Sequence, residues 1–203
     1  MENIKNCEDR KTEILNASEA LFNVKGYEKT TINDILQQMG IAKGTLYYYY
    51  KSKEEILDAI AMRIVEVWSA AAKEISMNDT LTVHQKMIDI ILAQNQNKSQ
   101  SSSVLKNDKN VNNSVLHEKV LVNVIKYLAP IMFEVVEEGI SNGDFHTAYP
   151  IESVEFLLIN AVFLFEDILF GWTQEECVEK ALAYIHTMEV ILGAEKGSFS
   201  QLG

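Results

Sequence analysis

The side chains of this 203-residue chain that could do chemistry are concentrated between Thr31 and Lys53. Hydroxyl, phenol and ammonium groups occur there together, and the stretch contains neither cysteine nor histidine. Such groups donate hydrogen bonds and positive charge, which suits contacts to phosphates and base edges better than bond-breaking catalysis. The stretch therefore predicts a surface that holds DNA.

A helix-turn-helix pattern positions these side chains. Thr31 predicts an N-cap with Asp34 as its capping-box partner, and Gly40 predicts a left-handed helix stop. A second short helix then covers 43–49, and a capping box at 52–55 opens a third helix. These starts and stops agree with one another, so the segment predicts a DNA-binding helix-turn-helix.

The second short helix carries the groups that we expect to face DNA. Gly44 and Thr45 are small enough to let the helix approach the major groove, and Lys43 could contact guanine or phosphate. Leu46 and Tyr50 lie four residues apart and are expected to face the core. The other phenol groups should turn toward the groove and its walls, unless they are core aromatics at helical spacing: Tyr47, Tyr48 and Tyr49.

The charge distribution agrees with a compact DNA-reading head on an acidic body. The net charge of -11 argues against a protein that coats nucleic acid non-specifically, because that binding depends on Lys and Arg. Residues 1–53 hold eight Lys or Arg and seven Asp or Glu, whereas 54–203 hold ten against twenty-two. Only the first quarter of the chain lacks an excess of acidic over basic residues.

The cysteines and histidines predict no metal, no cofactor and no catalytic residue. Cys7 and Cys177 are far apart and lack neighbours at metal-ligand spacing. The histidines are scattered and are expected to be surface or satisfied helix residues: His84, His117, His146 and His186. An enzyme of helical fold is one alternative for this chain, but no nucleophile, base and orienting group converge in the sequence.

The rest of the chain predicts long helices and gives strands little support, so we expect an all-α fold. The expected domains are a three-helix head, 1–52, and a larger helical bundle, 53–203. A polar stretch, 94–113, predicts a loop or a fraying helix, and Pro130 should kink or split its helix. Apolar patterns place helices at 9–25, 53–75, 81–94, 115–138, 151–170 and 173–192.

The last two helices together predict a self-association surface. The helix at 151–170 is apolar on nearly every side and must be buried on two of them. The N-terminus lacks an apolar signal core, and the longest uncharged apolar stretch, 156–165, is about half a membrane span. We therefore expect a cytoplasmic protein without a membrane segment.

Two carboxylates interrupt the most apolar helix. The simpler interpretation is that the carboxylates of Glu166 and Asp167 lie together on an exposed edge of the helix or at the rim of a dimer interface. The sharper hypothesis is that Glu166 points into a ligand cavity and selects a cationic or hydrogen-bonding effector. The other residues proposed to line that cavity are Trp68, Tyr127 and Phe163.

The first part of the chain contains the segment GIAKGTLYYYYKSKEEIL, preceded by TTINDILQQM and GYEKTT. These segments closely resemble the DNA-binding head of the TetR family of transcriptional regulators. The resemblance covers about the first 60 residues. The resemblance implies a helical C-terminal domain that dimerises through its last two long helices and often binds a small ligand. It also implies phosphate contacts at Thr31, Tyr47 and Lys53. The residues implied to face base edges are Lys43, Gly44, Thr45 and Tyr48.

Two positions depart from the family pattern. The family commonly has Ser or Thr at position 42 and often His at position 48, where this chain has Ala42 and Tyr48. The recognition helix thus loses a usual N-cap and one usual contact. A relative's operator preference therefore cannot be transferred to this chain.

The resulting expectation is a homodimeric repressor that binds a near-palindromic double-stranded DNA operator with two heads. A small-molecule effector would favour a body conformation in which the helix at 53–75 moves the heads to another spacing. The alternative is a regulator of the same fold controlled by a protein partner.

Overall fold

The computed structural model of the chain describes the backbone of residues 2–101, 114–165 and 170–199, and the side chains of 8–94, 114–165 and 170–199. Eight helices and no strands are described within those ranges, which confirms the all-α fold class. In chain order the helices are α1 (Glu2–Lys25), α2 (Ile32–Met39), α3 (Lys43–Tyr49), α4 (Lys53–Ser76), α5 (Val83–Ser101), α6 (Ser114–Asn142), α7 (Pro150–Leu164) and α8 (Gln174–Leu192).

The chain forms two compact units. Unit 1 comprises Met1–Ile64 and Lys98–Val120, and unit 2 comprises Val65–Asn97 and Leu121–Gly203. Helices α4, α5 and α6 each contribute residues to both units. The expected domain limits, 1–52 and 53–203, stay a prediction.

Amphipathic helices build the core of unit 1. Ile14 and Phe22 of α1, Ile35 of α2 and Leu46 of α3 are all buried. Helix α1 ends where Gly26 adopts a φ of 82°, a left-handed conformation that glycine takes without a steric penalty. The core thus fixes which side of α3 faces inward.

Polar contacts connect the helices of unit 1. Arg63 of α4 donates hydrogen bonds to the Asn16 amide oxygen at 2.8 Å and to the Glu19 carboxylate of α1. Burial raises the pKa of Glu19, while the Arg63 charge acts in the opposite direction. Lys119 of α6 lies 2.6 Å from the Asp58 carboxylate of α4. These contacts link α1 and α6 to α4 within the unit.

The predicted boundaries of the short helices are confirmed. Gly40 ends α2 with a φ of 65°, and α3 spans the expected 43–49. At the start of α4, the Ser52 hydroxyl accepts the Glu55 N–H at 3.0 Å, as a capping box requires. In a complete capping box the Glu55 carboxylate would also accept the Ser52 N–H. Here it accepts the N–H of the preceding residue, Lys51, at 2.5 Å.

Unit 2 is built around long amphipathic helices. Leu128 and Met132 of α6, Leu157 of α7 and Met188 of α8 are fully or almost fully buried. The Tyr184 hydroxyl of α8 donates to the Leu157 carbonyl of α7 at 2.9 Å, and its burial raises the Tyr184 pKa. Apolar packing and this buried hydrogen bond hold the last two helices together.

Several helix ends differ from those expected. Helix α1 begins at Glu2 and not near residue 9, and α5 runs to Ser101 instead of stopping at 94. The remainder of the polar stretch, 102–113, lies outside the described residues. Helix α6 is not split at Pro130, because buried neighbours on both sides of the proline pack it into the core. Helix α7 ends at Leu164, and Phe165 forms its C-cap. No helix within the described ranges is long and apolar enough to cross a membrane.

Candidate nucleic-acid interface

Helix α3 presents one face to the core and the other to solvent. Leu46 and Tyr50 are buried, whereas Tyr47 is exposed and Tyr48 retains 77% of its accessible surface. Tyr49 is partly exposed and lies edge-on to Tyr48, with ring centroids 5.0 Å apart. Burial therefore confirms Tyr50 as a core residue and Tyr47 and Tyr48 as outward residues, whereas Tyr49 is only partly exposed.

The start of α3 is open enough for a close approach. A Cβ atom placed on Gly44 would meet no atom within 4 Å, and Lys43 and Thr45 beside it are exposed. Ala42 makes no side-chain cap, as its residue type predicts. The Lys43 ammonium lies 5.6 Å from the Tyr47 ring centroid, which places the cation over the aromatic face. The backbone at Gly44 is thus open to close approach by a binding partner.

The capping box of α2 occupies both donors of Thr31. The Thr31 N–H donates to the Asp34 carboxylate at 2.8 Å and its hydroxyl donates to the same oxygen at 2.7 Å, while that hydroxyl accepts the Asp34 N–H at 3.2 Å. Lys25 lies 2.6 Å from Asp34. The hydrogen bonds from Lys25 and Thr31 hold the pKa of Asp34 well below its usual range. A phosphate contact by the Thr31 hydroxyl therefore requires the proton to turn away from Asp34.

Lys53 is engaged inside unit 1. Its ammonium donates to the carbonyl oxygens of Tyr27 at 2.8 Å and Thr30 at 2.9 Å, and it lies 4.1 Å from the Tyr27 ring centroid. Tyr27 and Thr30 are therefore further residues of the head that bear on this lysine. Their only signal was the GYEKTT segment between the first two helices, which does not reveal a partner 26 residues away.

The residues expected to line an effector cavity lie in different environments. Trp68 is 2% exposed, whereas Tyr127 and Phe163 each keep 45% of their accessible surface. Within the described part of the chain, the Trp68 indole N–H has no hydrogen-bond acceptor. Glu166 lies outside the described residues. A cavity shared by these four residues stays a prediction.

Other reactive groups of the described residues do not gather into a site. Among the described residues, no group of three or more His, Cys, Asp or Glu side chains could hold a metal ion. Cys177 has a free, partly exposed thiol, and the side chain of Cys7 lies outside the described ranges. The outward face of α3 and the exposed Thr31 at the start of α2 are the candidate interface.

Comparison with known proteins identifies the family. Residues 14–60 match the bacterial regulatory proteins of the tetR family, and 92–187 match the tetracyclin repressor-like C-terminal domain. The chain belongs to the TetR family of transcriptional regulators. Its first matched region contains α2, α3 and the start of α4, so the helices that carry the candidate interface belong to the helix-turn-helix domain of the family.

Individual relatives match over different lengths. An HTH-type regulator from the lacX 3′ region of Lactococcus lactis is 43% identical over 63 residues, which cover 31% of this chain and 32% of that protein. IcaR of Staphylococcus epidermidis, a negative regulator of the biofilm operon icaADBC, is 46% identical over 46 residues, or 23% and 25% of the two chains. YhgD of Bacillus subtilis, an HTH-type regulator, is 24% identical over 82% of this chain and 86% of its own.

The solved structures extend the likeness to the whole TetR fold. A regulator of the TetR/AcrR family from Thermobifida fusca aligns with a TM-score of 0.62, covering 93% of this chain and 99% of that chain. The two sequences are 22% identical, so this likeness concerns the fold alone.

Proposed function

We propose that this TetR-family regulator is a repressor that binds a near-palindromic operator as a homodimer and releases it when a small-molecule effector binds. The observation that carries the proposal is the outward face of α3, where small and hydrogen-bonding residues are exposed while Leu46 and Tyr50 anchor the helix. The negative regulator IcaR, similar over a quarter of its length, supports the sign of regulation.

The DNA contacts that we propose follow from exposure and side-chain chemistry. Gly44 lets the backbone approach the major groove, and Thr45 offers a hydroxyl and a methyl group to base edges. Lys43 and Tyr48 extend to bases next to them, and Tyr47 and Tyr49 direct phenol groups at the groove walls. Thr31 would contact a phosphate at the start of α2, where the helix dipole favours an anion.

Dimerisation would use an apolar stripe on the last two helices. Within the described residues, one side of α7 packs in unit 2 and the other side is exposed, although both were expected to be buried. A second copy of the same stripe is the complement that a two-fold interface requires. The exposed side chains are Phe156, Ile159 and Phe163 of α7, and Val178, Leu182 and Val190 of α8.

The effector part of the proposal is supported by Trp68. Among the described residues the buried Trp68 N–H has no acceptor. An unpaired buried donor is costly, so an effector with a carbonyl or carboxylate oxygen would satisfy it. Effector binding would shift the population of body conformations, and α4 would transmit the change because it contributes to both units.

The decisive experiment selects genomic or random duplexes on the purified protein and repeats the binding with candidate effectors. We expect one near-palindromic motif with half-sites about one helical turn apart. The Tyr48→Ala variant tests the interface itself, because Tyr48 is exposed and its loss should weaken binding without unfolding the head. Retention of no specific duplex would overturn the proposal.

A further inference from the structure

Lys53 is hydrogen-bonded to the turn between α1 and α2. Lys53 is the first residue of α4, and its ammonium donates to the Tyr27 carbonyl at 2.8 Å and the Thr30 carbonyl at 2.9 Å. The same ammonium lies 4.1 Å from the Tyr27 ring centroid, within the range of a cation–π contact. Three of its contacts thus come from a single four-residue turn.

That turn is also anchored to α1. Thr30 is buried, and its hydroxyl donates to the Gly26 carbonyl at 2.8 Å. The Tyr27 ring packs edge-on against Phe22 of the core, with centroids 5.2 Å apart. Because Lys53 holds the other side of the turn, the turn is fixed between α1 and α4, and Thr31 follows it directly.

We propose that Lys53 is a positioning residue: it holds turn 27–30 so that Thr31 and the first turn of α2 meet the DNA backbone, and it does not itself neutralise a phosphate. The inference rests on the proposed DNA binding. An ammonium has three N–H donors, and two of these are already directed at carbonyl oxygens. The carbonyl oxygens of Tyr27 and Thr30 and the face of the Tyr27 ring all attract a cation, so reaching a phosphate would require Lys53 to give up these contacts.

The two roles predict different salt dependence. Each phosphate neutralised by a lysine contributes about 0.9 to the slope of log affinity against log salt concentration. A neutral residue at 53 should therefore flatten the slope by about that amount if Lys53 binds phosphate. If Lys53 positions the turn, the affinity should fall by a similar factor at every salt concentration, because no counterion release is lost.

The test measures affinity for the selected operator by fluorescence anisotropy over a salt series. Lys53→Met, which keeps the side-chain length and removes the charge and donors, should bind about tenfold more weakly with an unchanged slope. Lys43→Met is the matched control, since Lys43 is an exposed cation of the proposed interface and its loss should flatten the slope. Lys53→Arg, which can donate to both carbonyls, should restore most of the affinity.

Tyr27→Leu provides a second variant that leaves the Lys53 charge in place. It removes the ring beneath the ammonium, so the positioning role predicts weaker binding at an unchanged slope. A slope flattened by about 0.9 in Lys53→Met, or wild-type affinity in Tyr27→Leu, would overturn the inference. Thermal melting of each variant separates loosening of the turn from global unfolding. Failure of the wild-type protein to bind any specific duplex would instead refute the proposed function.

Discussion

Replacing Leu182 with alanine should weaken dimerisation strongly. Leu182 lies on α8 and keeps 62% of its accessible surface within the chain. Fully burying a leucine side chain contributes roughly 1.5–3 kcal/mol, so covering the exposed fraction would contribute about 1–2 kcal/mol. A two-fold interface contains the residue twice, which makes the expected loss about 2–4 kcal/mol. The dimer dissociation constant should then rise by roughly 30-fold to 1,000-fold.

Sedimentation equilibrium over a concentration series measures this change directly. Leu92→Ala is the matched control, because Leu92 is 48% exposed but lies on α5, outside the proposed stripe. We expect Leu92→Ala to dimerise like the wild-type protein. Operator affinity should fall with the dimer fraction in Leu182→Ala and recover at high protein concentration. Equal dimerisation of Leu182→Ala and the wild type would refute the assignment of α8 to the interface.

Three further outcomes are expected. Thr31→Ala should lower the free energy of unfolding by about 1 kcal/mol through loss of the α2 N-cap, as read by denaturant titration, and Thr31→Ser should restore it. Thr45→Ala should relax base preference in duplex selection while its salt slope stays unchanged, because threonine is neutral; an unaltered motif would count against base contact. His84 packs against Phe145 and Phe199, and its burial lowers its pKa, so folding disfavours the protonated form of the imidazole. Stability should therefore fall as pH drops below about 6.5, the unfolded value, and His84→Gln should lose that component; identical pH profiles would contradict it.

Local signals predicted the head well because its boundaries depend on neighbouring residues. The Thr31 and Asp34 capping box, the left-handed Gly40 and the outward tyrosines all follow from hydrogen bonds and spacing within one helical turn. Helix α8 likewise begins where it was expected, because Thr173 and Glu176 form a capping box there. These features need no knowledge of what packs against them.

Features that join distant residues were not predictable in this way. The bond from Lys53 to Tyr27 spans 26 residues, and the Lys86 to Glu138 pair of unit 2 spans 52. The helix through Pro130 was expected to kink or split. It stays a single helix because burial of the residues around the proline offsets the lost backbone hydrogen bond.

The sequence by itself determined the all-α class, the helix-turn-helix and the family, because capping, periodicity and turn residues act over a few positions. The tertiary structure alone decided the environment of each functional side chain. It directed the Lys53 ammonium to the carbonyl oxygens of Tyr27 and Thr30. It also left Phe163 on the surface while burying Trp68. Those outcomes depend on which helices pack together, and that packing cannot be read from the residues next to each side chain in the sequence.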